Sequence, residues 1–211
     1  MMLWLMLASQ LAAPIPTNDG SWLTAGDVPD YLVEAGPGLW VVAVRLDVTA
    51  EGKISVCTIE ATSRVRELDR QTCEILRRRA RFLPARWSDG SVTSGVHRVP
   101  ISWLIADAPR NAAEVHFPLM ELTVNSLPPG LRSPTYVRVN FAVDADGKTR
   151  SCKAEEWQPQ RKVAAASKNP ALVSVACEHL TRSYRAVVGR DGGGSATRSV
   201  QNGEVSFSIQ K

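Results

Sequence analysis

Val44-Arg45-Leu46-Asp47-Val48-Thr49-Ala50-Glu51-Gly52-Lys53, followed by Cys57, returns ninety-five residues later as Val139-Asn140-Phe141-Ala142-Val143-Asp144-Ala145-Asp146-Gly147-Lys148, followed by Cys152. Each copy then reaches a second cysteine inside a helical pattern, Cys73-Glu74-Ile75-Leu76 and Cys177-Glu178-His179-Leu180. Each closes on an alternating apolar strand, Ile101-Ser102-Trp103-Leu104-Ile105 and Val205-Ser206-Phe207-Ser208-Ile209. A repeat of this size predicts two tandem units of one small fold. The expected class is α+β: two tandem β-β-α-β modules, each a small antiparallel sheet with a helix packed on one face. Residues 21–106 and 116–211 hold the modules, 107–115 the linker, and 1–20 a leader segment.

Periodicity places the elements. Trp40, Val42, Val44, Leu46 and Val48 alternate with Val41, Ala43, Arg45 and Asp47, as in a half-buried strand. Ala50-Glu51-Gly52-Lys53 turns the chain back, with Gly52 supplying the positive φ of a tight hairpin. A helix from about Arg66 to Arg81 turns Val65, Leu68, Thr72, Ile75, Leu76 and Ala80 inward, and Pro84 ends it. In the second copy Asn169-Pro170 reads as N-cap and first helical residue. Between its hairpin and helix lies an insertion, Glu156 to Ala171, longer than the matching connection of the first copy. Added loops are where specificity usually resides.

Domains of this size bury only about 60–65% of their unfolded surface, so a covalent staple helps. With Leu68 and Leu172 as references at about 100° per residue, Cys73 and Cys177 fall at the same angle, near 140°, on the edge of the apolar face. This predicts disulfides Cys57–Cys73 and Cys152–Cys177, against buried free thiols. Zinc is not expected, because the chain has no CxxC pair and its three histidines are scattered.

Met1 to Ala13 is an apolar run, short for a spanning helix, whose Ala12-Ala13 end resembles a signal-peptidase site. It reads as a cleaved secretory signal or an uncleaved short anchor, with membrane attachment through residues 1–15 in the second case. Export and paired cysteines agree, since disulfides persist in oxidising compartments. The expected location is the periplasm, with or without an inner-membrane anchor.

The net charge of +4 is mild. The arginines between Arg64 and Arg86 are interleaved with Glu67, Asp69 and Glu74, which reads as a solvated helix face and not a nucleic-acid stripe. Asp144-Ala145-Asp146-Gly147 has its glycine in the wrong place for a calcium loop and matches the first copy's hairpin turn. No serine, cysteine or carboxylate pair suggests an activated nucleophile or an acid–base couple, so no catalytic residue, cofactor or metal is assigned. Trp87 and Trp157 sit in connections and are candidates for interfaces, whereas Trp40 and Trp103 alternate with apolar neighbours as core residues do.

Taken together, Gly36-Pro37-Gly38, the Val-x-Ala-Glu-Gly-Lys-Ile hairpin of residues 48–54, Leu68-Asp69-Arg70 and Arg79-Ala80-Arg81-Phe82-Leu83-Pro84-Ala85-Arg86 resemble the C-terminal domain of TonB-type energy transducers, in a cysteine-bearing form. Pro29-Asp30-Tyr31 stands where that family has Pro-x-Tyr-Pro, with Leu32 in place of the last proline. The second copy keeps Asp-Ala-Asp-Gly-Lys and both cysteines but shows Ala186-Val187-Val188-Gly189 in place of the Phe-x-Pro-Ala signature, so it is divergent. The resemblance implies a non-enzymatic module that takes an extended segment of an outer-membrane receptor, its N-terminal part, by strand addition at the sheet edge near the last strand. By position that edge runs from His97 to Trp103, with Val205 to Ile209 as its counterpart. Pro29, Tyr31, His97, Val99, Ile101 and Trp103 are the candidate partner-binding residues. About seven residues separate the apolar run from Ser21, a reach of roughly 25 Å, too short to cross a cell envelope. The alternative is a repurposed envelope protein that binds a small ligand or cell-wall component through the insertion, without energy transduction.

Overall fold

The computed structural model describes residues 11–17, 22–105, 115–155 and 164–210. The strands are β1 (Ile15–Pro16), β2 (Gly38–Val48), β3 (Ile54–Ala61), β4 (Phe82–Leu83), β5 (Ala85–Arg86), β6 (Val92–Thr93), β7 (Gly95–Ile105), β8 (Met120–Val124), β9 (Thr135–Val143), β10 (Thr149–Ala154), β11 (Gly189–Arg190), β12 (Ala196–Thr197) and β13 (Ser199–Ile209). The helices are α1 (Asp30–Glu34), α2 (Arg66–Arg79) and α3 (Pro170–Arg182). The class is α+β, with strands predominating.

The expected pair of separate antiparallel sheets gives way to one mixed sheet. Its order is β10-β9-β13-β7-β2-β3, with β8 added along part of β13. β7 pairs with β2 over its whole length, and β13 with β9 over most of its own. The two last strands then meet in parallel, but only at Val200 opposite Gly95 and Gln201 opposite Val96. Past that point they part. The Asn202 side chain takes the place of the next peptide: its Oδ1 accepts from Arg98 N–H at 2.7 Å and its Nδ2 donates to Arg98 C=O at 3.1 Å. Arg98 in turn donates to Asn202 C=O and to Gln201 Oε1. A side-chain amide thus satisfies a backbone donor and acceptor that a continuing strand would have used.

Residues paired across a parallel ladder share a face. Gly95 lies on the same side of β7 as His97, Ile101 and Trp103. Ile101 and Trp103 pack in the core under α2 with Val42, Val44, Leu46, Leu68, Ile75 and Leu76. Val205 and Phe207, of opposite parity to Val200, pack in the core under α3 with Val137, Phe141, Leu172 and Leu180. The two helices therefore cover opposite faces, and each half leaves its back bare. Each half's post-helix hairpin covers the back of the other. Ala85 of β5 joins Leu11, Ala13, Ala142 and Val200 in a third cluster, with Trp87 packed beside it and Arg198 4.7 Å above the Trp87 ring. In exchange, Val188 C=O, beside β11, accepts from Arg45 Nη2 of β2 at 2.6 Å, and Ser55 Oγ lies 3.2 Å from Arg190 C=O. Trp87 is thus committed to this internal seam, while Trp157 lies outside the described residues.

Local chemistry follows the repeat. Gly52 and Gly147 both have positive φ, and both turns close through the same two bonds, Thr49 N–H to Lys53 C=O with Gly52 N–H to Thr49 C=O, and Asp144 N–H to Lys148 C=O with Gly147 N–H to Asp144 C=O. Each turn docks on the segment after the helix: Phe82 N–H donates to Gly52 C=O and Ala186 N–H to Gly147 C=O, both at 3.0 Å. A Cβ on Gly52 would stand 2.0 Å from Phe82 O, so no other residue fits there. Asn169 caps α3 by accepting from Ala171 and Leu172 N–H. The bonds Cys57–Cys73 and Cys152–Cys177 each tie a return strand to its helix. The N-terminal segment is part of the fold from Leu11 onward. Ala12 exchanges two backbone hydrogen bonds with Arg86, β1 pairs with β4, and Thr17 N–H donates to Arg81 C=O. Ala13, read above as the end of a leader, is buried; residues 1–10 lie outside the described residues.

Beneath the β11 hairpin lies a buried ion pair. Arg45 Nη2 is 2.7 Å from Asp47 Oδ1, yet neither carboxylate oxygen has a well-aligned hydrogen bond, so this contact pairs charge without a directed donor. Burial is the dominant influence on Asp47 and pushes its pKa up to about 6, against the opposing pull of Arg45.

Three measurements check this architecture. Replacing Cys57 and Cys73 by Ser opens a loop of 16 residues and is expected to cost about 3 kcal/mol in urea unfolding, as is opening the 25-residue Cys152–Cys177 loop. Asn202→Ala leaves Arg98 N–H and C=O without partners and should cost about 1–3 kcal/mol, with faster hydrogen exchange at the Arg98 amide. For Asp47, a folded-state pKa above the unfolded value makes its contribution greatest below about pH 4 and lost as pH rises through about 6. The stability of the parent relative to Asp47→Asn should therefore fall between about pH 4 and pH 7, by on the order of 2 kcal/mol; a pH-independent difference would contradict a raised Asp47 pKa.

Candidate partner-docking edge

Backbone groups along a strand alternate in direction, as side chains do. Because Arg98 N–H and C=O face Asn202, the even-numbered residues of β7 present their backbone to the side away from β2. Pro100 fits this phase, since a proline lacks the N–H and is tolerated where no ladder bond is needed. Past Arg98, the outward groups are Pro100 C=O and the N–H and C=O of Ser102 and Leu104. Among the described residues no strand pairs with β7 on this side beyond Val96. The result is an open edge about half as long as the strand.

The residues singled out from sequence take different places around it. Val99, Ile101 and Trp103 lie on β7 but point their side chains into the core under α2, where Trp103 Nε1 donates to Thr72 Oγ1 at 3.0 Å. His97 is buried too, its ring against Trp22 and Phe82 and its Nδ1 3.0 Å from Pro14 C=O. Pro29 is the N-cap of α1. Tyr31 is 38% exposed, and its phenol is raised above its ordinary pKa by partial burial and by Glu67 and Asp69 of α2. The side chains facing solvent along the edge are Ser102 and Leu104, with Leu39 of β2 directly opposite Leu104. Ser102, Leu104 and Arg98 are not among the residues singled out, because the alternating pattern draws attention to the inward ones. The signal that marks the outward ones is Pro100 within an otherwise regular strand.

At the fork between the parting strands the lining is charged. Arg98 Nε lies 3.1 Å from Glu60, and Arg138 Nε donates to Glu204 at 2.7 Å. His116 stacks on Tyr136 with its Nδ1 3.0 Å from Glu204 Oε2. The cavity there holds about 40 Å³, room for a water molecule and little more. A wider, open groove of about 530 Å³ runs beside the Cys152–Cys177 bond and α3, next to the insertion, of which residues 156–163 lie outside the described residues. Asp144, the first residue of the rejected calcium motif, is engaged by Arg150 and by Arg198. Among the described residues no group of three or more His, Cys, Asp or Glu is placed to hold a metal, and no helix is long and apolar enough to cross a membrane.

Part of the chain matches a known protein family. No curated protein and no solved structure matches the chain. The family described as Gram-negative bacterial TonB protein C-terminal matches residues 41–105, from β2 to the end of β7. That family comprises non-enzymatic, transport-related domains, and it implies interaction with outer-membrane receptors and a place in the cell envelope. The segment that ends on the open strand, residues 41–105, is thus the part of the chain that is similar to the TonB C-terminal domain.

Proposed function

We propose that the first half of the chain, residues 21–106, is a periplasmic protein-binding module of envelope transport. It holds an extended segment of a partner by strand addition to β7 over Pro100–Ile105. The observation that carries this reading is the set of outward backbone groups at Ser102 and Leu104, which no described strand pairs. Unpaired strand edges are templates for another chain, and main-chain hydrogen bonds supply the affinity in such complexes. The family supports an outer-membrane receptor segment as the partner. The second half, residues 116–211, serves as the platform that braces the first. The alternative, a small-ligand or cell-wall binder built on the insertion, has less behind it. The cavity at the fork is too small for a ligand, and the groove beside α3 is open as lined by the described residues.

A photo-crosslinking residue at Leu104, exposed on the edge, tests the reading in cells, followed by mass spectrometry of the captured protein. Capture of the N-terminal segment of an outer-membrane receptor supports strand addition; capture of cell-wall material in its place shifts the reading to the alternative. Ser102→Pro removes one outward N–H while leaving the β2 ladder intact, and it should weaken partner binding at least tenfold with little change in the thermal midpoint. Unchanged affinity in folded Ser102→Pro would sink the edge as the docking site.

A further inference from the structure

The same edge exists twice, and in the second half it is occupied. The register of the hairpins fixes the equivalence: Val48 lies opposite Gly95, Val143 lies opposite Ser199, and the two turns match residue for residue. Ile101 to Ile105 of β7 therefore corresponds to Val205 to Ile209 of β13. On β7 that stretch is open. On β13 it carries β8, which runs parallel to it from Met120 opposite Val205 to Val124 opposite Ile209. Outward groups of β13 are used at both ends of this ladder, with Leu119 N–H donating to Glu204 C=O at 2.8 Å and Gln210 N–H to Val124 C=O at 3.1 Å. Glu204 corresponds to Pro100, and the contact there needs only a carbonyl, which proline retains.

We infer that β8 is a resident stand-in for a partner strand: the second half takes from its own chain what the first half takes from another molecule. The inference rests on strand addition at β7 for its functional meaning, and on the shared geometry of the two edges for its structure. β8 has the pattern such a segment requires. Met120, Leu122 and Val124 pack against the core under α3, while Glu121 and Thr123 face solvent. It pairs with no strand but β13, so the ladder and three apolar side chains are its main attachments among the described residues. Val205–Ile209 is accordingly a second docking edge held closed, and a partner segment for β7 is a five-residue extended stretch with apolar residues at its first, third and fifth positions.

A labelled peptide of this chain's residues 117–126 provides the test, titrated by fluorescence anisotropy into the full-length protein and its variants. The triple variant Met120→Ser, Leu122→Ser, Val124→Ser removes the anchors of β8 and should take up one more equivalent of peptide than the parent. Adding Ser206→Pro, which deletes an outward N–H of β13, should abolish that extra site. No gain in the triple variant, with both disulfides formed and the melting transition intact, overturns the inference. Leu122→Ser alone, the milder change, serves if the triple variant does not fold, and there too an unchanged stoichiometry overturns it. The parent reports on β7 separately. One equivalent, lost on Ser102→Pro, agrees with both readings. No binding to the parent but one equivalent to the triple variant leaves β8 as a resident strand and removes the docking role from β7.

Discussion

Two residue pairs and one asparagine amide join the halves of this sheet. Gly95–Val96 and Val200–Gln201 form a short parallel ladder, and Asn202 then bonds both backbone groups of Arg98 with its side chain. Much follows from that substitution of amide for peptide. Had the ladder continued, β7 and β13 would have zipped together along their length and neither would offer an edge. Because it stops, Ser102 and Leu104 keep their outward groups, and β13 is left with room for β8. The parallel sense of the ladder also puts α2 and α3 on opposite faces, which leaves two bare backs and makes the exchange of hairpins necessary.

Much of this was legible in the sequence, for physical reasons that can be named. The period-2 run from Trp40 to Val48, the inward face Leu68-Thr72-Ile75-Leu76 and the Asn169-Pro170 cap each report a local preference that the packed structure satisfies. The cysteines could be paired because the repeat placed them at equivalent points on strand and helix. The fused sheet could not be read, since backbone pairing between β7 and β13 leaves no periodic mark on side chains. The candidate residues read from the sequence on β7 are inward ones. Val99, Ile101 and Trp103 are alternating because they are core, whereas an added strand meets the backbone of the residues between them. Met120-Glu121-Leu122-Thr123-Val124 also alternates, and its strand signal lay in plain view. The apolar start was ambiguous by nature: a leader, an anchor and a buried edge segment all require the same residues.

The functional reading joins a family match over 41–105 with a geometric asymmetry between two equivalent edges. The family match bears on the kind of work, and the asymmetry is the ground for proposing where on the molecule it is done. The second half shows Ala186-Val187-Val188-Gly189 where the first has Phe82-Leu83-Pro84-Ala85, yet makes the same contact: Ala186 N–H binds the Gly147 carbonyl as Phe82 N–H binds that of Gly52. The two halves thus differ in side chains there and share the backbone contact.

The exchanged hairpins carry a consequence for the integrity of the chain itself. Neither disulfide crosses between the halves, so everything that binds residues 11–105 to residues 115–210 is non-covalent apart from the connecting peptide. That non-covalent bond is extensive: Ala85 and Leu11 are buried against Val200 and Ala142, Arg45 is held by Val188, and Asn202 by Arg98. A protease cut between residues 105 and 115 would consequently produce two fragments that remain one particle, clasped by reciprocal arms, with the route of the polypeptide severed and the sheet unbroken.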